Sequence, residues 1–434
     1  MNAAKGWVAP GWEDVRQAFE TNFDEGQEVG AAFSAYHKGA KVVDLWGGTA
    51  DDKTGRPWEE DTVVLVYSTT KGVTAMCANR LADEGALDVD APVSNYWPEF
   101  AQAGKQDVTV TDLLAHRAGL AWVDGRMSAD EVFAWDPVIR ALEAQAPSWP
   151  PGSAHGYHAT TYGWLVGEVV RRITGRSLGT YLREEITSTL GADFFIGLPE
   201  SEQPRVARLI PFDLGALLGQ GASPGHVPAT AGTLFETAGA DHDRAQPTAR
   251  VEDIDAARFA EMIATYLGPD GRLTKALEAP GGALRDQSLW ESPDLHAAEI
   301  PAANGICDAR SLALLYSSCV SDVVTRSGDK GRTISAKQLD RALRQETEGP
   351  DQVLLGLDIQ WGLGFMLNRG LVAGGGMGGP RGFGHFGMGG SAGWADPDSE
   401  LAMGYVMNRM TIGTTGDTRS FKLVRACIEC AKRA

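Results

Sequence analysis

Strand-like segments in this chain lie at its two ends, and the stretch between them is mostly helical. Near the start, "VGAAFSAYHKGAKVVDLWGGTA" gives two apolar runs broken by "HKGAK", a hairpin signal. After position 360 comparable runs return in "WGLGFMLN", "FGHFGMGGSAGWADP" and "LAMGYVMNRM". Between them, "VTVTDLLAHRAGL" and "YGWLVGEVVRRITG" read as helices, the second with Tyr162, Leu165, Val166, Val169, Val170 and Ile173 at helical spacing before Gly175. Helices are also expected from Trp12 to Phe23, over "GICDARSLALLYSSCV" and near Ser420 to Lys432. Such an order implies one sheet shared by both chain ends, residues 1–66 and 305–434, with residues 67–304 inserted as a mainly helical lobe. From about Ala192 to Ala303, Pro and Gly are frequent and periodicity is weak, so loops and short helices are expected.

The 434 residues are long enough to bury a large core, and 43% hydrophobic with 22% charged residues is the balance of an ordinary globule. A formal net charge of −18, with no basic stripe, argues against nucleic acid or an anionic membrane as partner. No apolar run reaches signal-peptide or bilayer-spanning length, so a cytoplasmic location is expected. Five cysteines, an odd number, suit reduced thiols, and Cys427-x-x-Cys430 reads as two small residues on one face of the terminal helix. No metal and no cofactor is expected.

One stretch breaks a local rule. "VYSTTKGVTAM" opens a helix whose Val73, Met76, Cys77 and Leu81 share a face and which Gly85 ends; Ser68 or a neighbouring threonine is the expected cap. Lys71 then falls in the first turn, where the helix dipole disfavours a cation. Ser68 lies three residues earlier, on the same side of that turn. Burial at the positive end of a helix lowers an ammonium's pKa and frees a neutral amine to act as a base, and a hydroxyl beside it becomes a nucleophile. The helix start also aims the Ser68 N–H at any oxyanion formed there.

The run "STTKGVTAMCANRLADEGALDVDAPVSNYWPEF", then "LLAHRAGL", "PPGSAHGYHATTYGWLVGEVVRRITGRSLGTYL", "QWGLGF" and "GHFGMGGSAG" resemble, in order and spacing, the serine β-lactamase and penicillin-binding-protein superfamily. Within it the chain is most similar to the class C β-lactamase-like esterases, the family VIII carboxylesterases. The resemblance implies an α/β (α+β) fold with an antiparallel sheet from both chain ends, flanked by helices, and a catalytic cleft against the helical lobe. It also implies that Ser68 is the nucleophile, Lys71 its partner, and Tyr157 the tyrosine of the second motif, acting as base toward Ser68 and then as acid toward the leaving group. His385, Phe386 and Gly387 match the third motif and would line the cleft, with the Met388 N–H as second oxyanion donor.

Two departures separate the chain from lactam-recognising members. Ala159 stands where they carry asparagine, and His385 where many carry lysine, which removes a permanent charge for a lactam carboxylate. An uncharged ester of small to medium size is the expected substrate. A β-lactamase or D-amino-acid peptidase using the same residues, and a non-catalytic binding protein of the same fold, are the competing readings.

Two G-x-S-x-G stretches, around Ser223 and Ser391, fail as α/β-hydrolase elbows. No histidine follows His385 in the chain, and Pro224 after Ser223 lacks the N–H that an oxyanion needs. Ser391 reads as a strand or turn residue near the cleft. His116 is expected in the last turn of a helix ending at Gly119, in a structural role, and His155 and His158 lack a carboxylate at metal-like spacing. Trp122, Trp361 and Trp394 are candidate walls of an acyl pocket.

Overall fold

The computed structural model describes residues 4–211, 271–368, 378–411 and 417–434. Ser223 and most of the glycine-rich stretch before Pro380 lie outside them. An eight-stranded antiparallel sheet is built from β1 (Lys5–Val8), β2 (Gly30–His37), β3 (Ala40–Asp51), β4 (Met366–Leu367), β5 (Phe383–Phe386), β6 (Ala392–Asp396) and β7 (Leu401–Met407), with Arg56–Pro57 against β3. The strand order β1-β3-β2-β7-β6-β5-β4 joins the two chain ends at the β2–β7 pair, where Phe33 opposes Tyr405 and Ala35 opposes Met403. The hairpin after β2 turns on Lys38 and Gly39, both at positive φ (52° and 76°), the twist that two-residue hairpin turns require.

Helices cover both faces. α1 (Glu13–Asp24) and the terminal α7 (Thr418–Arg433) pack together on one side; α7 begins at an Asp417 capping box and buries Leu423, Val424, Cys427 and Cys430. Between them in the chain come α2 (Thr70–Asp83), α3 (Val110–Leu114), α4 (Thr161–Thr174), α5 (Arg272–Glu278) and α6 (Ala309–Val320). α6 lies on the other face of the sheet, against β2, β6 and β7.

Three expectations change on folding. α2 has no solvent face over most of its length: every residue from Thr70 to Asn79 is buried, because the helix runs between α4 and the β5 side of the sheet. The apolar period seen in its sequence is the part of an all-round contact that large side chains supply. "VTVTDLLAHRAGL" forms only the five-residue α3, capped by Thr109 and Asp112, so His116 sits beyond the helix at φ +60° rather than in its last turn. "WGLGFMLN" is largely irregular, with only Met366 and Leu367 in a strand. Between Ala192 and Ala303, the described parts are short strands, short helices and loops, as the weak periodicity implies.

Candidate active site

From Thr62 to Asn79 every residue is buried except Ser68. The backbone explains this. Tyr67 takes φ +45°, a left-handed conformation that costs a residue with a Cβ about 1–3 kcal/mol and marks strain of the kind held at functional sites. Tyr67, packed on Trp290, pitches the next residue out of the core; its carbonyl accepts the Thr70 N–H at 3.0 Å and starts the turn that becomes α2. Thr69, not Ser68, holds the N-cap position, and no side chain there caps the helix. The Ser68 hydroxyl is thereby left for other partners.

Lys71 is completely buried. Its Nζ lies 2.6 Å from the Ala159 carbonyl, 2.9 Å from the Ala302 carbonyl and 3.1 Å from Ser68 Oγ, and it stands 4.7 Å from the centre of the Tyr157 ring. Burial pushes its pKa well below that of an ordinary lysine, and no carboxylate pairs with it among the described residues. The Tyr157 phenol interacts with Ser68, and burial in the interior drives its pKa up, so it stays protonated. Its ring stacks on Trp361 at 5.7 Å and packs on His116 at 5.2 Å. Ser68, Lys71 and Tyr157 therefore meet.

The C-terminal end of β5 reaches the same turn. A Cβ on Gly387 would fall 2.2 Å from the Val66 carbonyl and 2.9 Å from Thr69 Oγ1, so only a glycine permits this approach. Ser391 fastens it: its hydroxyl bonds the Val66 carbonyl at 2.9 Å and Thr69 Oγ1 at 3.0 Å, while its carbonyl accepts the Gly387 N–H at 2.7 Å. The Met388 amide follows directly. Among the described residues, neither that N–H nor the Ser68 N–H donates to a protein acceptor.

His385 and Phe386 take opposite sides of β5. The His385 ring is fully buried beside Tyr157 (6.1 Å) and Trp361 (5.6 Å), with Nδ1 2.6 Å from the Phe386 carbonyl and Nε2 without a partner among the described residues. Burial and the neighbouring Lys71 hold its pKa far down, so the imidazole is neutral. It backs the site rather than facing solvent. Phe386 does not line the cleft: its ring packs on Trp394 and on Phe421 of α7, since alternate residues of a strand face opposite ways. Trp394 goes with it into the core, and Trp361 serves as the stacking partner of Tyr157.

His116 and His158 are occupied structurally. His158 accepts the Leu120 N–H at Nε2 (2.9 Å) and has Nδ1 2.7 Å from the Gly156 carbonyl; His116 accepts the His158 N–H at Nδ1. Among the described residues, no group of histidine, cysteine or carboxylate side chains is placed to hold a metal. No helix there is long and apolar enough to cross a membrane.

Sequence reasoning missed Asp351. This buried carboxylate accepts the Tyr157 backbone N–H at 3.1 Å from 194 residues away, and nothing in "EGPDQVLL" announces it.

Known proteins share this arrangement of the chain. A crystal structure described as a family VIII carboxylesterase superposes with a TM-score of 0.78 at 37% identity, covering 98% of this chain and 99% of its own. A penicillin-binding protein homologue from Caulobacter crescentus gives 0.77 at 35% identity, with coverage of 98% and 99%. In sequence, the Esterase/beta-lactamase LipL of Mycobacterium tuberculosis is 32% identical over 93% of this chain and 83% of its own length. With the Beta-lactamase family model matching residues 15–424, the chain belongs to the beta-lactamase family and has its fold.

Proposed function

We propose that this protein is a serine carboxylesterase that forms an acyl-enzyme at Ser68 and releases it to water. One observation carries the reading: Lys71 Nζ has two backbone carbonyls and one hydroxyl around it. A neutral amine has two N–H groups and one lone pair. With the N–H groups spent on Ala159 and Ala302, the lone pair faces Ser68 Oγ, the geometry of a general base.

Lys71 takes the Ser68 proton as Oγ attacks the ester carbonyl. The N–H groups of Ser68 and Met388 stabilise the resulting oxyanion. As the tetrahedral intermediate collapses, the Tyr157 phenol gives its proton to the departing alkoxide and regains one from Lys71. Water then enters; its proton passes through Tyr157 to Lys71, and Lys71 returns a proton to Ser68 Oγ as the acid leaves. This reverses the order of roles that the sequence resemblance implies for Tyr157, because a phenol whose pKa is driven up gives up its proton poorly at the outset.

The ester preference rests on charge. Neutral His385 and apolar Ala159 offer a β-lactam neither a cation for its carboxylate nor an amide partner for its side chain. Carboxylesterase and Esterase/beta-lactamase, the descriptions of two relatives, agree with the class. Fluorophosphonate labelling of the wild-type protein, abolished in Ser68→Ala, is the expected result, together with turnover of 4-nitrophenyl esters well above that of a chromogenic cephalosporin. Faster cephalosporin turnover would make the protein a β-lactamase, and an unlabelled wild type would make it a binding protein.

A further inference from the structure

Asp351 is completely buried, and a single oxygen does most of its bonding. Oδ1 accepts the backbone N–H groups of Val353 and Leu354, each at 2.7 Å, and that of Tyr157 at 3.1 Å. Among the described residues Oδ2 has no hydrogen-bond partner, and His155 Nε2, likewise without one, stands 3.9 Å away. The same loop is tied to the Tyr157 segment again through the Gln352 N–H, which donates to the His155 carbonyl at 2.9 Å.

An asparagine could accept the same three N–H groups through its carbonyl oxygen without burying a charge. Burying a carboxylate with no cation against it is costly. Locally uneconomical choices of this kind concentrate where chemistry is performed. We propose that Asp351 is a positioning residue of the ester cleavage: its carboxylate clamps the Tyr157 amide and fixes the phenol at Ser68, and its charge keeps the phenolic proton in place until the leaving group needs it. The proposal rests on the reading of Tyr157 as the proton donor.

The surroundings support the second part. The Asp351 charge acts to raise the Tyr157 pKa, and the titratable and polar groups beside the Tyr157 side chain from the other packed elements are Ser68, Lys71, His116, Tyr162 and His385, with no other carboxylate among the described residues. Burial lifts Asp351 itself to about 6, and burial together with Arg117 lowers His155 to about 4. At pH 8 the carboxylate is ionised and the imidazole neutral.

The test compares Asp351→Ala, Asp351→Asn, Tyr157→Phe and the double variant Asp351→Ala/Tyr157→Phe at pH 8, by kcat/KM on 4-nitrophenyl butyrate and on ethyl butyrate. An acid-assisted departure matters more when the leaving alkoxide is more basic, so a defect in proton donation grows from the first ester to the second. Asp351→Ala is expected to lose roughly 10²-fold on the nitrophenyl ester and about tenfold more on the ethyl ester, within the range that positioned proton transfer supplies. Asp351→Asn, which keeps the clamp and removes the charge, should lose less on both while keeping the larger loss on the ethyl ester. The double variant should be no worse than Tyr157→Phe. Equal losses on the two esters, or a folded Asp351→Asn with wild-type values on both, would overturn the proposal while a defective Tyr157→Phe left the reading of Tyr157 standing. An active Tyr157→Phe would overturn both.

Discussion

Lys71 shows how one residue is legible in sequence only as an anomaly. A cation in a helix's first turn is wrong by dipole, and the serine three residues before it suggests why; the two carbonyls that complete its surroundings come from 88 and 231 residues away. Its depressed pKa ties catalysis to stability. Between that lowered value and the unfolded lysine's, about 10.4, the unfolded chain binds the extra proton, so stability rises with pH across this window. Lys71→Met should flatten that rise. Urea unfolding at stepped pH from 6 to 9 measures it, and parallel slopes in the two proteins would show that Lys71 is protonated in the fold. Lys71→Ala should also lower turnover roughly 10²- to 10⁴-fold with folding retained, the range expected for a lost general base.

At the scale of elements, α2 is the case where period misleads. Its apolar stripe is real, yet the small and polar residues on its other sides are buried as well, since a helix threaded through a core needs small residues wherever neighbours come close. Gly72 marks the closest approach: a Cβ there would sit 2.0 Å from the Tyr316 hydroxyl and 3.5 Å from the His385 side chain. Glycine to alanine in a helix ordinarily gains about 1 kcal/mol. Here the clash should win, and Gly72→Ala is expected to destabilise by about 1–3 kcal/mol, as overpacked cores do, which denaturant titration reads directly. β5 obeys the same logic at its end. Gly387→Ala, by pushing the Met388 amide off the Ser68 turn, should cost about 10²- to 10³-fold in kcat, the loss seen when an oxyanion donor is removed. Unchanged kcat would relieve Met388 of that role.

For the molecule as a whole, the long-range decision is the β2–β7 pair, which makes the first and last segments neighbours. Arg419 secures it. Buried in α7, it pairs with Glu28 at 3.1 Å and Asp417 at 2.6 Å, and donates to the carbonyls of Arg409 (2.9 Å) and Gly389 (2.7 Å), two residues from Gly387. Arg419→Met would leave Glu28 buried without its cation and should cost about 3–5 kcal/mol, the usual result of halving a buried pair, with a matching fall in Tm. An unchanged Tm would mean that the β2–β7 ladder and apolar packing hold the chain ends without Arg419. The sequence by itself determined what short-range rules encode: the helices from Glu13, Thr161 and Thr418, the Lys38-Gly39 turn, strands at both ends, and the Ser68–Lys71 spacing, while Tyr157 was legible only through the family resemblance. Tertiary structure alone decided which way each strand residue faces, as when Phe386 turned to α7 and His385 to the site, and which distant groups close on Lys71 and Tyr157. The reason is range: caps, periods and turns act over a few residues of chain, whereas burial and the partners of a buried polar atom depend on segments hundreds of residues apart that meet only in the folded core.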